Sequence, residues 1–141
     1  MEYFLPLISI VTISYNAVNL IEKTILSVVE QDTADFEYIV IDGGSTDGTV
    51  EVIRKYENAI SYWVSESDKG IFDAMNKALS VAKGDWVIFM NSGDCFYNNH
   101  VLSEIAIYMK DEETELICSK TCKHRVRELT VSYTHLTLPP T

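Results

Sequence analysis

Positive charge is scarce in this chain. Eleven Lys and Arg stand against 21 Asp and Glu, a formal net charge of −10. No stretch of the main body reads as a basic groove, which argues against a nucleic-acid partner. An acidic protein that binds an anion needs a local cation, and a divalent metal held by carboxylates would supply one. Cysteine is sparse and odd in number, with Cys95, Cys118 and Cys122. Three thiols make no disulfide framework, so a reducing cytoplasm is expected. Cys118, Cys122 and His124 lack a fourth ligand at a zinc-site spacing. Long apolar runs are missing as well. The N-terminal MEYFLPLISIVTIS is broken by Pro6 and has no basic leader. It reads as neither a signal peptide nor a membrane span. There is no internal repeat, no GxGxxG and no Walker A pattern, so neither a dinucleotide fingerprint nor a P-loop is expected.

What is present is a chain of 141 residues with 47% hydrophobic content, enough for one domain with a real core. Strand and helix signals alternate along it. Leu7 to Ile13 is apolar and β-branched, a buried first strand. Asn16 is a candidate N-cap for a helix carrying Leu20, Ile21, Thr24, Ile25, Val28 and Val29 at helical spacing. Phe36 to Ile41 reads as the second strand. Asp47 then caps a helix through Val50, Ile53 and Tyr56. Ile60 to Ser65 reads as a third strand, followed by a helical stripe from Ile71 to Ala82 with Gly84 as its C-terminal stop. Trp86 to Met90 reads as a fourth strand, Asn91 to Asp94 as a sharp turn, Val101 to Met109 as a helix, and Glu115 to Cys118 as a further short strand. This alternation predicts an α/β fold, a mostly parallel sheet with helices on both faces.

After about Ser119 the rhythm stops. Lys120, Lys123, Arg125 and Arg127 crowd together, and a Thr-rich stretch runs to Pro139-Pro140. Residues 1–119 are therefore read as the domain. Residues 120–141 are read as an atypical tail, resembling translated vector or adapter sequence and foreign to the fold.

Four polar loops follow the four strands: Ser14-Tyr15-Asn16, Asp42 to Asp47, Glu66 to Gly70, and Asn91 to Asp94. In a parallel sheet they share the carboxyl edge, where open α/β sheets bind ligands. They hold five carboxylates, Asp42, Asp47, Glu66, Asp68 and Asp94, against one cation, Lys69. That composition points to Mg²⁺ or Mn²⁺ bridging protein oxygens to phosphate oxygens. Asp42, closing a buried strand beside Gly43 and Gly44, is read as functional, and Asp47 mainly as a cap. His100, His124 and His135 receive no role.

Four segments together, PLISIVTISYNA, YIVIDGGSTDGT, SESDKGIFDAMNKAL and GDWVIFMNSGDCF, resemble the N-terminal half of a family-2 glycosyltransferase of the GT-A fold. The likeness runs from about Pro6 to Met109, and NSGD is similar to a subgroup building bacterial surface polysaccharides. The resemblance implies a truncated GT-A domain binding a nucleotide-sugar donor, commonly a UDP-sugar. Its acceptor would be a glycan or lipid-linked sugar. The parent enzyme would work by inversion in the cytoplasm, in peripheral association with the inner membrane face.

By the same likeness Tyr15 and Asn16 lie in the loop that packs on the nucleoside, Asp42 is the carboxylate accepting from the base, and Ser45 shares its loop. Asp68 and Lys69 border the donor pocket, Asp73 and Asn76 face it from the next helix, and Asn91 belongs to the NSGD segment of the donor site. Asp94 matches the metal position of the family's DxD motif. Asn91 and Gly93 replace carboxylates there, so metal binding would rest mainly on Asp94. No carboxylate after Asp94 matches the family's catalytic base, because Glu104, Asp111, Glu112, Glu113 and Glu115 read as a solvated helix end and turn, and Glu128 lies in the tail. The chain then reads as a donor-binding half without its base. The competing classes are a nucleotide-binding module without turnover and a receiver-type regulatory domain. The receiver class needs an acid pair, a phosphoacceptor Asp and a distant Lys in one pocket, a combination this sequence does not show.

Overall fold

The structure, a computed structural model, describes residues 8–33, 35–109, 119–126 and 129–136. Its main sheet is built from β1 (Ile8–Ser14), β2 (Phe36–Asp42), β3 (Tyr62–Ser65) and β4 (Trp86–Phe89). They run in the order β3-β2-β1-β4, and every pairing is parallel. The helices are α1 (Ile21–Val29), α2 (Thr49–Lys55), α3 (Ile71–Val81) and α4 (Val101–Met109). A sheet this apolar must be covered on both sides, and strand alternation divides the work. Ile8, Ile10, Tyr38 and Val40 form one cluster with Ile21, Ile25 and Val28 of α1, Ile53 of α2, and Leu102 and Ile105 of α4. Val11, Ile39 and Ile41 face the other way, against Ala74 and Ala78 of α3. Each fully buried Ile or Val is worth about 1.5 to 3 kcal/mol. The small Ala pair lets α3 lie close to its strands.

Two polar features tie the core together. Thr12 Oγ1 and Tyr38 OH are hydrogen-bonded at 2.7 Å on adjacent strands, and burial pushes the phenol pKa above its ordinary value. Gln31, buried at the end of α1, donates to the Asn98 carbonyl at 2.6 Å and accepts the Leu102 amide at 3.1 Å. It thereby fixes the start of α4.

The structure refines several expected boundaries. The first helix is capped not by Asn16 but at Leu20, because Asn16 turns left-handed (φ 46°) and spends its side chain on a neighbouring loop. Gly48, also left-handed, is the N-cap of α2, while Asp47 just before it accepts the Thr49 amide. Gly84 is not the stop of α3, which ends at Val81 with Ala82 as its C-cap. Its task is close approach: a Cβ there would lie 2.7 Å from the Ser9 backbone nitrogen.

Asp94–Phe96, the end of the expected turn and the residues beyond, form a short strand, β5. It pairs in parallel with β7 (Leu129–Leu136), which is antiparallel to β6 (Ser119–Val126). The stretch expected to be foreign to the fold thus has a backbone hairpin beside β5. The strand expected over Glu115 to Cys118 lies outside the described residues, as does Leu7.

Candidate functional site

The carboxyl ends of the four parallel strands frame a cleft of about 610 Å³. Its walls come from Ser14, Tyr15 and Asn16 after β1, Gly43 after β2, Ser67, Asp68 and Gly70 after β3, and Asn91 and Ser92 after β4. Leu20 and Ile71 add an apolar lip. Of the expected site residues, Tyr15, Asn16, Asp68 and Asn91 meet in this cleft. Tyr15 stands 64% exposed beside it, an aromatic face free to stack.

The β1 and β2 loops are clasped to each other. The Asn16 amide donates to Ser45 Oγ at 2.7 Å, and Asn16 Oδ1 accepts the Thr46 amide at 2.9 Å. The Ala17 amide donates to Thr49 Oγ1 at 2.9 Å, and the Val18 amide to Asp47 Oδ2 at 3.2 Å. The Thr49 hydroxyl, followed by the backbone amides of Val18 and Thr49, holds the Asp47 carboxyl below its ordinary pKa. Sequence reasoning saw Asp47 as a cap and missed that it joins two loops. The STDGT spacing, which alternates short acceptors with amides, was the available signal.

Asp42 is fully buried and does not line the cleft. Its Oδ2 accepts the Ser45 amide at 2.8 Å, the Gly44 amide at 3.1 Å and Ser65 Oγ at 2.7 Å, and its Oδ1 accepts Ser45 Oγ at 2.6 Å. Both oxygens are engaged within the protein, so the carboxylate builds the loop on which the cleft rests. Ser45 is its partner there, and Ser65, which sequence reasoning passed over, ties the loop to β3.

Asp73 accepts the Lys69 amide at 3.0 Å at the entrance to α3. Neither Lys69, Asp73 nor the exposed Asn76 lines the cleft. Lys77 crosses beneath this loop, 3.2 Å from Glu66 and 3.9 Å from Asp73. It was not singled out in the sequence, where it reads as an ordinary surface residue of α3.

Among the described residues, two buried polar atoms at the cleft have no hydrogen-bond partner, Ser14 Oγ and Asn91 Oδ1. Such orphans are costly and ask for a ligand or ordered water. Three residues on, Asp94 opens β5 and is not among the residues lining the cleft. Burial raises its carboxyl pKa, partly offset by a hydrogen bond from the Asn91 backbone. Among the described residues no group of three or more His, Cys, Asp or Glu side chains converges as a ready-made metal cage. Asp94 and the Asn91 amide oxygen are hard oxygen donors, one desolvated and one orphaned. Such a pair suits a hard cation that takes its other ligands from phosphate oxygens.

A parallel sheet flanked by helices, with a polar cleft at its carboxyl edge, defines an α/β domain of the GT-A type. The family model described as "Glycosyl transferase family 2" matches residues 9–137, and the chain belongs to that family. An uncharacterized glycosyltransferase of Mycobacterium tuberculosis is 38% identical over 70% of this chain and 38% of its own length. TuaG of Bacillus subtilis, named for teichuronic acid biosynthesis, is 36% identical over 74% of this chain and 43% of its own. The chain thus spans about two fifths of the length of these curated relatives. Among solved structures, a mannosyltransferase of Pyrobaculum calidifontis in complex with GDP-Man and Mn²⁺ superposes with a TM-score of 0.71 at 25% identity, over 88% of this chain and 37% of that one. TarS 1-349 of S. aureus in complex with UDP gives 0.66 at 26% identity, over 81% and 40%.

Proposed function

We propose that this chain is the donor-binding half of a bacterial glycosyltransferase. It would hold a nucleoside-diphosphate sugar, preferably a UDP-sugar, whose sugar the parent enzyme passes to a glycan or lipid-linked acceptor of surface polysaccharide. The observation that carries this reading is the cleft: four loops at one sheet edge, an exposed aromatic face, and two orphaned polar atoms, Ser14 Oγ and Asn91 Oδ1. The relative named for teichuronic acid biosynthesis and the neighbours bound to UDP or GDP-Man support it.

In this reading Tyr15 stacks on the nucleoside, and Asn16, Ser45 and Asp42 hold the loop beneath it. Asp68 and Asn91 contact the donor directly. Lys69, Asp73 and Asn76 border the site from outside the cleft wall. Asp94, with the Asn91 amide oxygen, would hold Mg²⁺ or Mn²⁺. Such an ion bound to the diphosphate acts as a Lewis acid that stabilises the departing negative charge. Burial of Asp94 prepares it for this, since a desolvated carboxylate gains most from a neighbouring cation.

Transfer with inversion also needs a general base at the acceptor hydroxyl, and we assign none in this chain. We further propose that the donor-binding unit is residues 1–119 and that 120–141, whose β7 pairs with β5, is an addition to it. Among the described residues no helix is long and apolar enough to cross a membrane, and peripheral association of the parent enzyme with the inner face of the membrane is part of the proposal.

Calorimetric titration with UDP, UDP-sugars, GDP and dTDP, with and without Mn²⁺, tests the reading. Micromolar binding of one nucleotide that strengthens with Mn²⁺ is the expected result. Absence of binding by all of them refutes the donor site. Sugar transfer by this chain alone would show that a base is present after all.

A further inference from the structure

Gly43 lies buried at the cleft, with no left-handed φ that would demand glycine. Its smallness has another cause. A Cβ at that position would lie 2.9 Å from Asp68 Oδ2 and 3.3 Å from both Asp68 Cγ and Oδ1. The missing side chain is the seat on which the Asp68 carboxylate rests. That carboxylate is held from one side only: Oδ1 accepts the Gly70 amide at 3.0 Å, while no described residue donates to Oδ2. Among the described residues, Asp68 is also the one charged residue lining the cleft. Asp42, the acid closer to the glycines in sequence, is buried with both oxygens engaged.

A fixed anion with one open oxygen repels a diphosphate and attracts an N–H donor. The phosphates therefore belong near Asn91 and Asp94, at the β4 side of the sheet, and the base near Gly43 on the β2 side. From this we infer that Asp68, seated over Gly43, is the specificity-determining carboxylate that accepts the ring N–H of the nucleobase, uracil or guanine. A cytosine ring presents a lone pair at that place and is turned away. The inference rests on the proposed donor site and deepens it.

The test is calorimetry on the full chain with Mn²⁺, using UDP and GDP beside their ring-N-methylated counterparts, N3-methyl-UDP and N1-methyl-GDP. A charge-assisted hydrogen bond predicts that the wild type prefers the unmethylated nucleotide by about tenfold or more. Asp68→Ala should bind both members of the pair equally, at the level of the methylated one. Asp68→Asn guards against a folding defect, because its Oδ1 still serves Gly70. The amide that replaces Oδ2 is a donor, so the preference should vanish there too. Gly43→Ala, which unseats the carboxylate, should reduce it. Equal binding of the pair by the wild type, or a preference that survives in folded Asp68→Ala and Asp68→Asn, overturns the inference while leaving the donor site standing. Failure of all four nucleotides to bind overturns both.

Discussion

Ser65 Oγ donates to Asp42 Oδ2 at 2.7 Å, across the last paired register of β3 and β2. The bond joins the third strand to the loop of the second just where the cleft begins. It also explains why a carboxylate can sit wholly out of solvent with no cation beside it among the described residues. Two hydroxyls and two amides replace its lost hydration, and charge-assisted bonds of this kind are among the strongest a protein makes. Asp42→Ala leaves those donors without an acceptor, so a loss of about 3 kcal/mol or more is expected. Ser65→Ala removes one bond and should cost about 1.5 to 3 kcal/mol. Urea unfolding of the two variants checks both values. A near-neutral Asp42→Ala would contradict an architectural role for that residue.

Asn16 offers a separable test of the clasp between loops. Its left-handed backbone is tolerable for Asn and free for Gly, and its side chain accepts the Thr46 amide. Asn16→Gly removes only the side-chain bond, whereas Asn16→Ala also strains the backbone. Ala should therefore be the less stable of the two by about 1 kcal/mol. Thermal unfolding of the pair decides it, and equal stability would mean that the loop relaxes out of the left-handed turn.

Much of this fold could be read from the sequence because its signals were local and repeated. The apolar runs of β1 and β2, buried on both faces, and of the half-buried β4 fall almost where hydrophobic pattern put them, and the helical stripe of Val101 to Met109 coincides with α4. Convergence of the four loops followed from parallel topology alone. Roles within the loops were harder to read, because they depend on where a side chain points. Asp42 and Asp68 look alike in sequence. Only the seat at Gly43 and the hydroxyl of Ser65 tell the committed carboxylate from the open one. β5 escaped notice because its three residues have no periodicity of their own and pair with a strand far along the chain.

Gly84 shows the same limit at a position of pure packing. As a helix stop it would tolerate replacement by Asn. Packed against β1, with its amide donating to Ser9 Oγ at 2.8 Å, it leaves no room for a Cβ. Besides Ser9 Oγ it would meet two backbone atoms, Ser9 N at 2.7 Å and Ile8 C at 2.8 Å, which move less readily than a side chain. Gly84→Ala should destabilise by about 1 to 3 kcal/mol, the range of overpacked cores. Chemical denaturation measures it, and a neutral result would show that the β4 entrance shifts without cost.

Asp94 carries the prediction that separates stability from function. Burial raises its pKa above the ordinary 3.8 in the folded state. A carboxyl raised in this way contributes stability that is fully present below the unfolded value. That contribution is lost as pH rises through the raised folded value, because the unfolded chain then gives up the proton more readily. Above that raised folded value the free protein therefore holds Asp94 ionised at a net cost. Asp94→Asn removes that cost and keeps an oxygen to accept the Asn91 backbone hydrogen bond. The variant should unfold at a higher temperature than wild type at pH 7 without metal, with the difference shrinking as pH falls toward 3.8. If Asp94 holds the cation, Mn²⁺ with UDP should reverse the order, stabilising the wild type and leaving Asp94→Asn nearly unchanged. Differential scanning fluorimetry across pH 4 to 8, with and without Mn²⁺ and UDP, reads both effects. An Asp94→Asn variant less stable than wild type at neutral pH without metal would show that the carboxylate is held by interactions that outweigh its burial.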